Sequence, residues 1–231
     1  WMVDEGLLVG YGEGTLAKLA VRPAKLKTEK DFDRLQQVFG LLHDAEDAYE
    51  NRALESLKQI RAEGYQRICD RIKKTSVPEG QFETNPALSV PELIATVEKV
   101  HELSVEAATL YLQILALPDC TTANIKLWND WATGAFNKAA KELAKKKLVL
   151  EAKRARAGRS YFLPGGWEAL KLPHLPIETW KLPLFQITRN DAGQLDTPLP
   201  RILPLVPVHE LFEAAWNRTQ SGDAPGYEEV S

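Results

Sequence analysis

Between residues 133 and 159 the chain carries nine basic side chains: Lys138, Lys141, Lys145, Lys146, Lys147, Lys153, Arg154, Arg156 and Arg159. Only Glu142 and Glu151 oppose them, which leaves a net charge of +7 on this stretch. The whole chain of 231 residues has a formal net charge of −3, so everything outside the stretch sums to −10. A local field of this kind selects partners more strongly than the chain average does. Its chemistry is electrostatic: lysines and arginines neutralise phosphates and release condensed counterions.

The residues that catalysis needs are scattered. His43, His101, His174 and His209 lie in separate segments, without a nucleophile motif beside them. Cys69 and Cys120 are 51 positions apart, with no CxxC and no clustered histidines. A disulfide framework, a zinc site and a catalytic triad are therefore not expected. Both cysteines sit among apolar residues and read as buried structural thiols in a reducing cytoplasm. In the cluster His43-Asp44-Ala45-Glu46-Asp47, only His43 and Asp47 share a helical face, and a solvated helix surface is expected there. Gly10, Gly12 and Gly14 have the spacing of a phosphate loop, but no Gly-Lys-Ser/Thr follows. They read as a turn. An enzyme, a bound cofactor and a metal are not expected.

The basic residues need elements to present them. Residues 104–117 hold an apolar stripe of Val105, Ala108, Tyr111/Leu112 and Leu115 at helical spacing, closed by Pro118. Residues 121–128 form a second, short pattern anchored by Ile125 and Trp128. After the turn Asn129-Asp130, Thr133 is positioned to cap a third helix over residues 133–146. Phe136, Ala139/Ala140 and Leu143 form its inward face, which leaves Asn137, Lys138, Lys141 and Lys145 outward. Leu148-Val149-Leu150 and Tyr161-Phe162-Leu163 are strand formers, and Gly158 suits the left-handed position of a hairpin turn. Residues 147–163 therefore read as a β-hairpin with Lys153, Arg154, Arg156 and Arg159 at its tip.

Helix, helix, helix and basic hairpin, in this order, resemble the winged helix-turn-helix superfamily. The resemblance covers about a quarter of the chain, residues 104–163, and rests on element order. It implies a third helix in a major groove, with Asn137, Lys138 and Lys141 at base edges or phosphates. Arg154, Arg156 and Arg159 of the wing would grip flanking backbone or probe a minor groove. DNA, or another nucleic acid, is the implied partner. Trp128 and Trp131 are bulky for the elbow of such a motif. Winged helices also serve as protein-protein recognition and assembly modules, so a protein partner is the competing expectation.

The remaining segments frame this module. The expected fold class is mainly α. A helical N-terminal region with a linker occupies residues 1–88, the winged helix 89–164, and a proline-rich extension with a short helix 165–231. Thr28, with Asp31 three residues on, is placed to start a long helix or helical hairpin that runs to Lys74. Pro78, Gly80, Asn85 and Pro86 break the periodicity, and Ser89-Val90-Pro91-Glu92 has the form of a capping box. Nine of the 14 prolines fall from Pro164 onward, among leucines and aromatics too apolar for a disordered linker. These read as extended arms packed on other elements, with one helix near residues 208–218. No apolar run approaches the length of a membrane span, so no membrane partner is expected. The first residues, Trp1-Met2, suggest a fragment of a longer polypeptide.

Overall fold

The computed structural model describes residues 2–14, 18–42, 49–171, 174–199 and 201–226. It is mainly helical, with small antiparallel strand pairs, and divides into two compact units, Trp1–Ala62 and Glu63–Ser231. The cluster from His43 to Asp47 lies outside the described residues.

The first unit adds a small sheet to the helical N-terminal region expected from the sequence. Strands β1 (Met2–Val3), β2 (Leu8–Tyr11) and β3 (Lys18–Val21) form an antiparallel sheet in that order, with Val9 opposite both Met2 and Ala20. Leu7 and Leu8 are buried with Leu26, Phe32, Leu35 and Leu54. This cluster joins the start of β2 to helices α1 (Glu29–Leu42) and α2 (Tyr49–Arg61). Gly12 and Gly14 hold positive φ, as a turn requires. The start of α1 is closed by Asp31. Its carboxylate accepts the Lys27 and Thr28 amides at 2.9 and 2.8 Å and the Thr28 hydroxyl at 3.0 Å. Those bonds hold the Asp31 carboxyl below its usual range.

In the second unit, α3 (Glu63–Lys74), α4 (Pro86–Ser89) and α5 (Pro91–His101) lead into α6 (Val105–Ala116). Every residue of α6 from Ala107 to Ala116 is buried. A helix with no exposed face must be covered on all sides. Its cover comes from α4, α5, α8 (Thr133–Lys145), the 3₁₀ helix Thr179–Phe185 and α9 (Val208–Gln220). The one amide in its middle is satisfied: Gln113 donates to Thr84 O at 2.8 Å and exchanges hydrogen bonds with Asn129 of α7 (Thr122–Asn129).

The expected divisions at residues 88 and 164 do not match these units. α3 belongs with the second unit, where Arg67 takes Glu210 of α9 in a two-pronged ion pair and Arg71 does the same with Glu83. Strand pairs β4 (Leu150–Glu151) with β5 (Tyr161–Phe162), β6 (Trp167–Glu168) with β7 (Ile177–Glu178), and β8 (Thr188–Arg189) with β9 (Leu195–Asp196) complete the fold. The extension is part of the core, because Ile177, Leu182, Phe185, Leu211, Phe212 and Trp216 are buried in the cluster that surrounds α6. The capping box at Ser89 does not form. Ser89 ends α4, where its hydroxyl donates to Asn85 O, and Val90 caps α5 without a side-chain bond.

Two glycines distinguish close packing from open surface. A Cβ on Gly64 would lie 1.9 Å from the backbone oxygen of Leu205, whereas a Cβ on Gly134 would meet nothing within 4 Å. Thermal denaturation of Gly64→Ala should show a loss of roughly 2–4 kcal/mol, since backbone has to move. Gly134→Ala, in an exposed helix, should instead gain about 0.5–1 kcal/mol.

Candidate nucleic-acid interface

The candidate surface is built on α8. A tight turn delivers it: Asp130 adopts a left-handed conformation at the end of α7, and the Trp131 amide returns to Lys126 O at 2.9 Å. Trp128 and Trp131 do not block that turn; Trp128 is buried and Trp131 packs against the core cluster. Phe136, Ala139, Ala140 and Leu143 face inward, and Asn137, Lys138, Lys141 and Lys145 are exposed on the opposite side. Ala132, not Thr133, precedes the helix and gives no side-chain cap. The Thr133 hydroxyl instead accepts from Lys126 Nζ at 2.9 Å.

The acid on this helix is turned away. Glu142 accepts the Ser104 amide and hydroxyl, both at 2.7 Å, which pins α8 to the start of α6. Burial pushes the Glu142 carboxyl up, but the Ser104 bonds and the nearby Lys138 and Lys146 outweigh it and hold it below the usual range. Lys146 is likewise taken, by Glu102 at 2.8 Å.

The hairpin sorts the remaining basic residues differently from the sequence-based expectation. In β4 and β5, Leu150 pairs with Phe162 and Glu151 with Tyr161. Lys153 is exposed. Arg156 is also exposed and donates to Leu170 O. Arg154 is half-buried; it donates to Gly165 O at 2.9 Å and stacks 4.9 Å from the Phe162 ring and 5.5 Å from Trp167. Arg159 is not part of the solvent-facing tip expected from the sequence. Its side chain is 2% exposed and points into the protein. It donates to Cys120, backbone and sulfur, to Tyr161 O and to Glu178. The tip is not a free projection either: the Thr122 amide donates to Gly158 O at 3.0 Å, and a Cβ on Gly158 would meet Thr121 at 2.9 Å.

Arg159 belongs to a buried ion cluster. Glu178 of β7 is 1% exposed, and Lys181 of the 3₁₀ helix is wholly buried. Lys181 Nζ lies 3.0 Å from the Glu178 carboxylate and donates to Leu117 O at 2.6 Å. Burial alone would raise the Glu178 carboxyl, but Lys181 and Arg159 outweigh it and draw it down to about 2. The cluster ties the end of α6, the hairpin and the C-terminal extension together. Local sequence carries no sign of it, because Glu178 lies 19 positions beyond Arg159. Cys120 is buried here as expected, whereas Cys69 is exposed.

Among the described residues, two other polar sites are engaged internally. His101 lies edge-on between the rings of Tyr111 and Trp216, and burial followed by Lys146 lowers its proton affinity. A cleft of about 400 Å³ is lined by Trp180, Arg218 and Asp223, but Arg218 is committed to Asp223 at 2.6 Å and stacks on Trp180. Among the described residues no group of three His, Cys, Asp or Glu side chains could hold a metal ion, and no helix is long and apolar enough to cross a membrane.

The cluster has a pH signature. The Glu178 carboxyl is lowered in the fold, so its contribution to stability is present above the ordinary glutamate range, near 4.5, and is lost as pH falls toward about 2. Glu178→Gln removes the carboxylate that Arg159 and Lys181 contact directly, leaving them only the Asp119 carboxylate nearby, and should cost roughly 3–5 kcal/mol at pH 7 by denaturant titration. The gap between the two proteins should narrow in acid; a gap that stays constant from pH 7 to pH 3 would contradict this account. No family model, curated protein or solved structure matches the chain, so its function is read from this geometry.

Proposed function

We propose that residues 104–163 are a winged helix-turn-helix that binds duplex nucleic acid, DNA in the first instance. The observation that carries this reading is the outer face of α8. Asn137, Lys138, Lys141 and Lys145 are all exposed there, and among the described residues they make no ion pair or hydrogen bond. Of the neighbouring cations, Lys146, Arg154 and Arg159 have internal partners. Lys153 and Arg156 extend the surface at the hairpin, while Arg154 and Arg159 support it from within. The order of elements and the docking of α8 on α6 support the winged-helix reading.

Lysines dominate the face, which favours phosphate contact and gives high affinity with little sequence selection. A duplex is favoured over a single strand. Single-strand binders stack bases on exposed rings. Here Phe162, Tyr161 and Trp128 are buried, and Trp167 lies beneath Arg154 and Arg159.

Protein recognition, with the same scaffold, is the second reading. It draws on Val100, Val105 and Leu127, which expose 51%, 47% and 62% of their surface. Such side chains commonly mark protein contacts when they are contiguous.

A salt titration of duplex DNA binding separates the two. The variant Lys138→Ala/Lys141→Ala/Lys145→Ala should bind at least tenfold more weakly at low salt. Its plot of log affinity against log salt should be shallower by about 0.9 per lysine removed. Alanine is the better helix former, so the variant should retain its helical circular dichroism. Wild-type protein that ignores duplex DNA at low salt, or a variant that binds as well as wild type, would return the module to protein recognition.

A further inference from the structure

A cavity of about 120 Å³ lies where the end of α5, the turn after α8 and the end of α9 meet beside α6. Its wall includes His101, Tyr111, Lys147, Thr219 and Gln220, and no carboxylate. Thr219 and Gln220 bond to their own helix, the Thr219 hydroxyl to Trp216 O at 2.7 Å and the Gln220 amide to the Thr219 hydroxyl at 3.2 Å. Two other groups on the wall are unpaired. Tyr111 is 3% exposed, yet its hydroxyl makes no hydrogen bond among the described residues. His101 Nε2 is buried without a partner as well. The two rings stand edge to face, 5.5 Å apart, and line the same space. Buried polar groups are nearly always hydrogen-bonded, so two orphans on one wall point to an occupant.

Lys147 gives the space its sign. It follows α8 in the left-handed region, at a φ of 60°, while the Lys147 and Leu148 amides close the helix on Ala144 O and Leu143 O at 3.0 and 3.1 Å. Glycine is what this closing turn favours, because a Cβ is strained there. The lysine brings an exposed ammonium group instead, with no ion pair or hydrogen bond among the described residues. The carboxylates next in sequence to the wall are spent, Glu102 on Lys146 at 2.8 Å and Asp223 on Arg218 at 2.6 Å. Burial pushes the Tyr111 phenol up to about 12, so it keeps its proton and can donate. Burial, followed by Lys146, lowers the proton affinity of His101. The volume matches about four waters at liquid density, which is also room for one small oxyanion with part of its hydration.

We propose that this cavity binds a small tetrahedral oxyanion of the phosphate class, with Tyr111 and His101 donating from the inner wall and Lys147 from the rim. The site is separate from the exposed lysines of α8 and does not depend on the nucleic-acid reading. A bound anion would tie the ends of α5, α8 and α9 to one another.

The test uses the whole chain in a chloride buffer free of oxyanions, titrated with inorganic phosphate at constant ionic strength. The melting temperature of wild type should rise and saturate, and calorimetric titration should show one site. Tyr111→Phe removes only an unpaired hydroxyl, and Lys147→Gly relieves a left-handed backbone, so without phosphate each variant should be at least as stable as wild type. Each should nevertheless bind phosphate about tenfold more weakly, as expected for the loss of one hydrogen bond to a charged group. Lys138→Ala/Lys141→Ala/Lys145→Ala should bind it as wild type does. A wild-type melting temperature that phosphate raises no more than chloride does overturns the proposal and leaves the cavity to water. Phosphate binding that is unchanged in Tyr111→Phe and Lys147→Gly, or lost with the three lysines of α8, also overturns it, because the anion then sits elsewhere.

Discussion

The burial of α6 is the constraint on which the second unit depends. Leu110, Leu112, Ile114 and Leu115 are at most 1% exposed, and so are Ala107, Ala108 and Ala116 on the other sides of the same helix. Each large aliphatic chain gains about 1.5–3 kcal/mol by leaving water. That gain is available only if neighbours close around the whole circumference. α5, α8, α9 and the 3₁₀ helix Thr179–Phe185 provide the closure. The proline-rich extension is thereby drawn into the core, and α8 is held with its apolar side down and its lysines outward.

The buried charges at the end of α6 do a different job. Desolvating Arg159, Glu178 and Lys181 is costly, and such clusters seldom stabilise a fold more than an apolar core would. Their directional demands are strict, however. Lys181 must reach Leu117 O, and Arg159 must reach Cys120, Tyr161 O and Glu178 together. That set admits few placements of the hairpin relative to α6 and α7. It also changes the electrostatics of the candidate surface, since one arginine of the basic stretch is spent against a buried carboxylate. What faces solvent is chiefly a lysine surface, suited to phosphate.

Much of this was legible locally. The stripe over residues 104–117 is α6, and the pattern anchored by Ile125 and Trp128 is α7. The apolar repeat of Phe136, Ala139, Ala140 and Leu143 correctly separates the two sides of α8. The misses have a common origin. Thr133 and Ser89 have capping chemistry, but each hydroxyl found another partner, Lys126 or Asn85 O. The N-terminal sheet is not legible locally because Leu7-Leu8-Val9 is too short a run to show a strand period, and its register comes from pairing with Met2 and with Leu19 to Val21.

The amino-acid sequence by itself determined the extents of the helices of residues 104–146 to about a residue at each end, and which faces of them are apolar. Those properties depend on neighbours within a turn or two, through caps, prolines and helical periodicity. Only the tertiary structure decided which cations meet solvent. Lys141 and Arg159 are equal in a charge count, yet one is exposed and the other is sealed against Glu178. The difference arises because a buried charge is tolerated only beside its counter-charge, and that partner arrives from a strand 19 positions further along the chain.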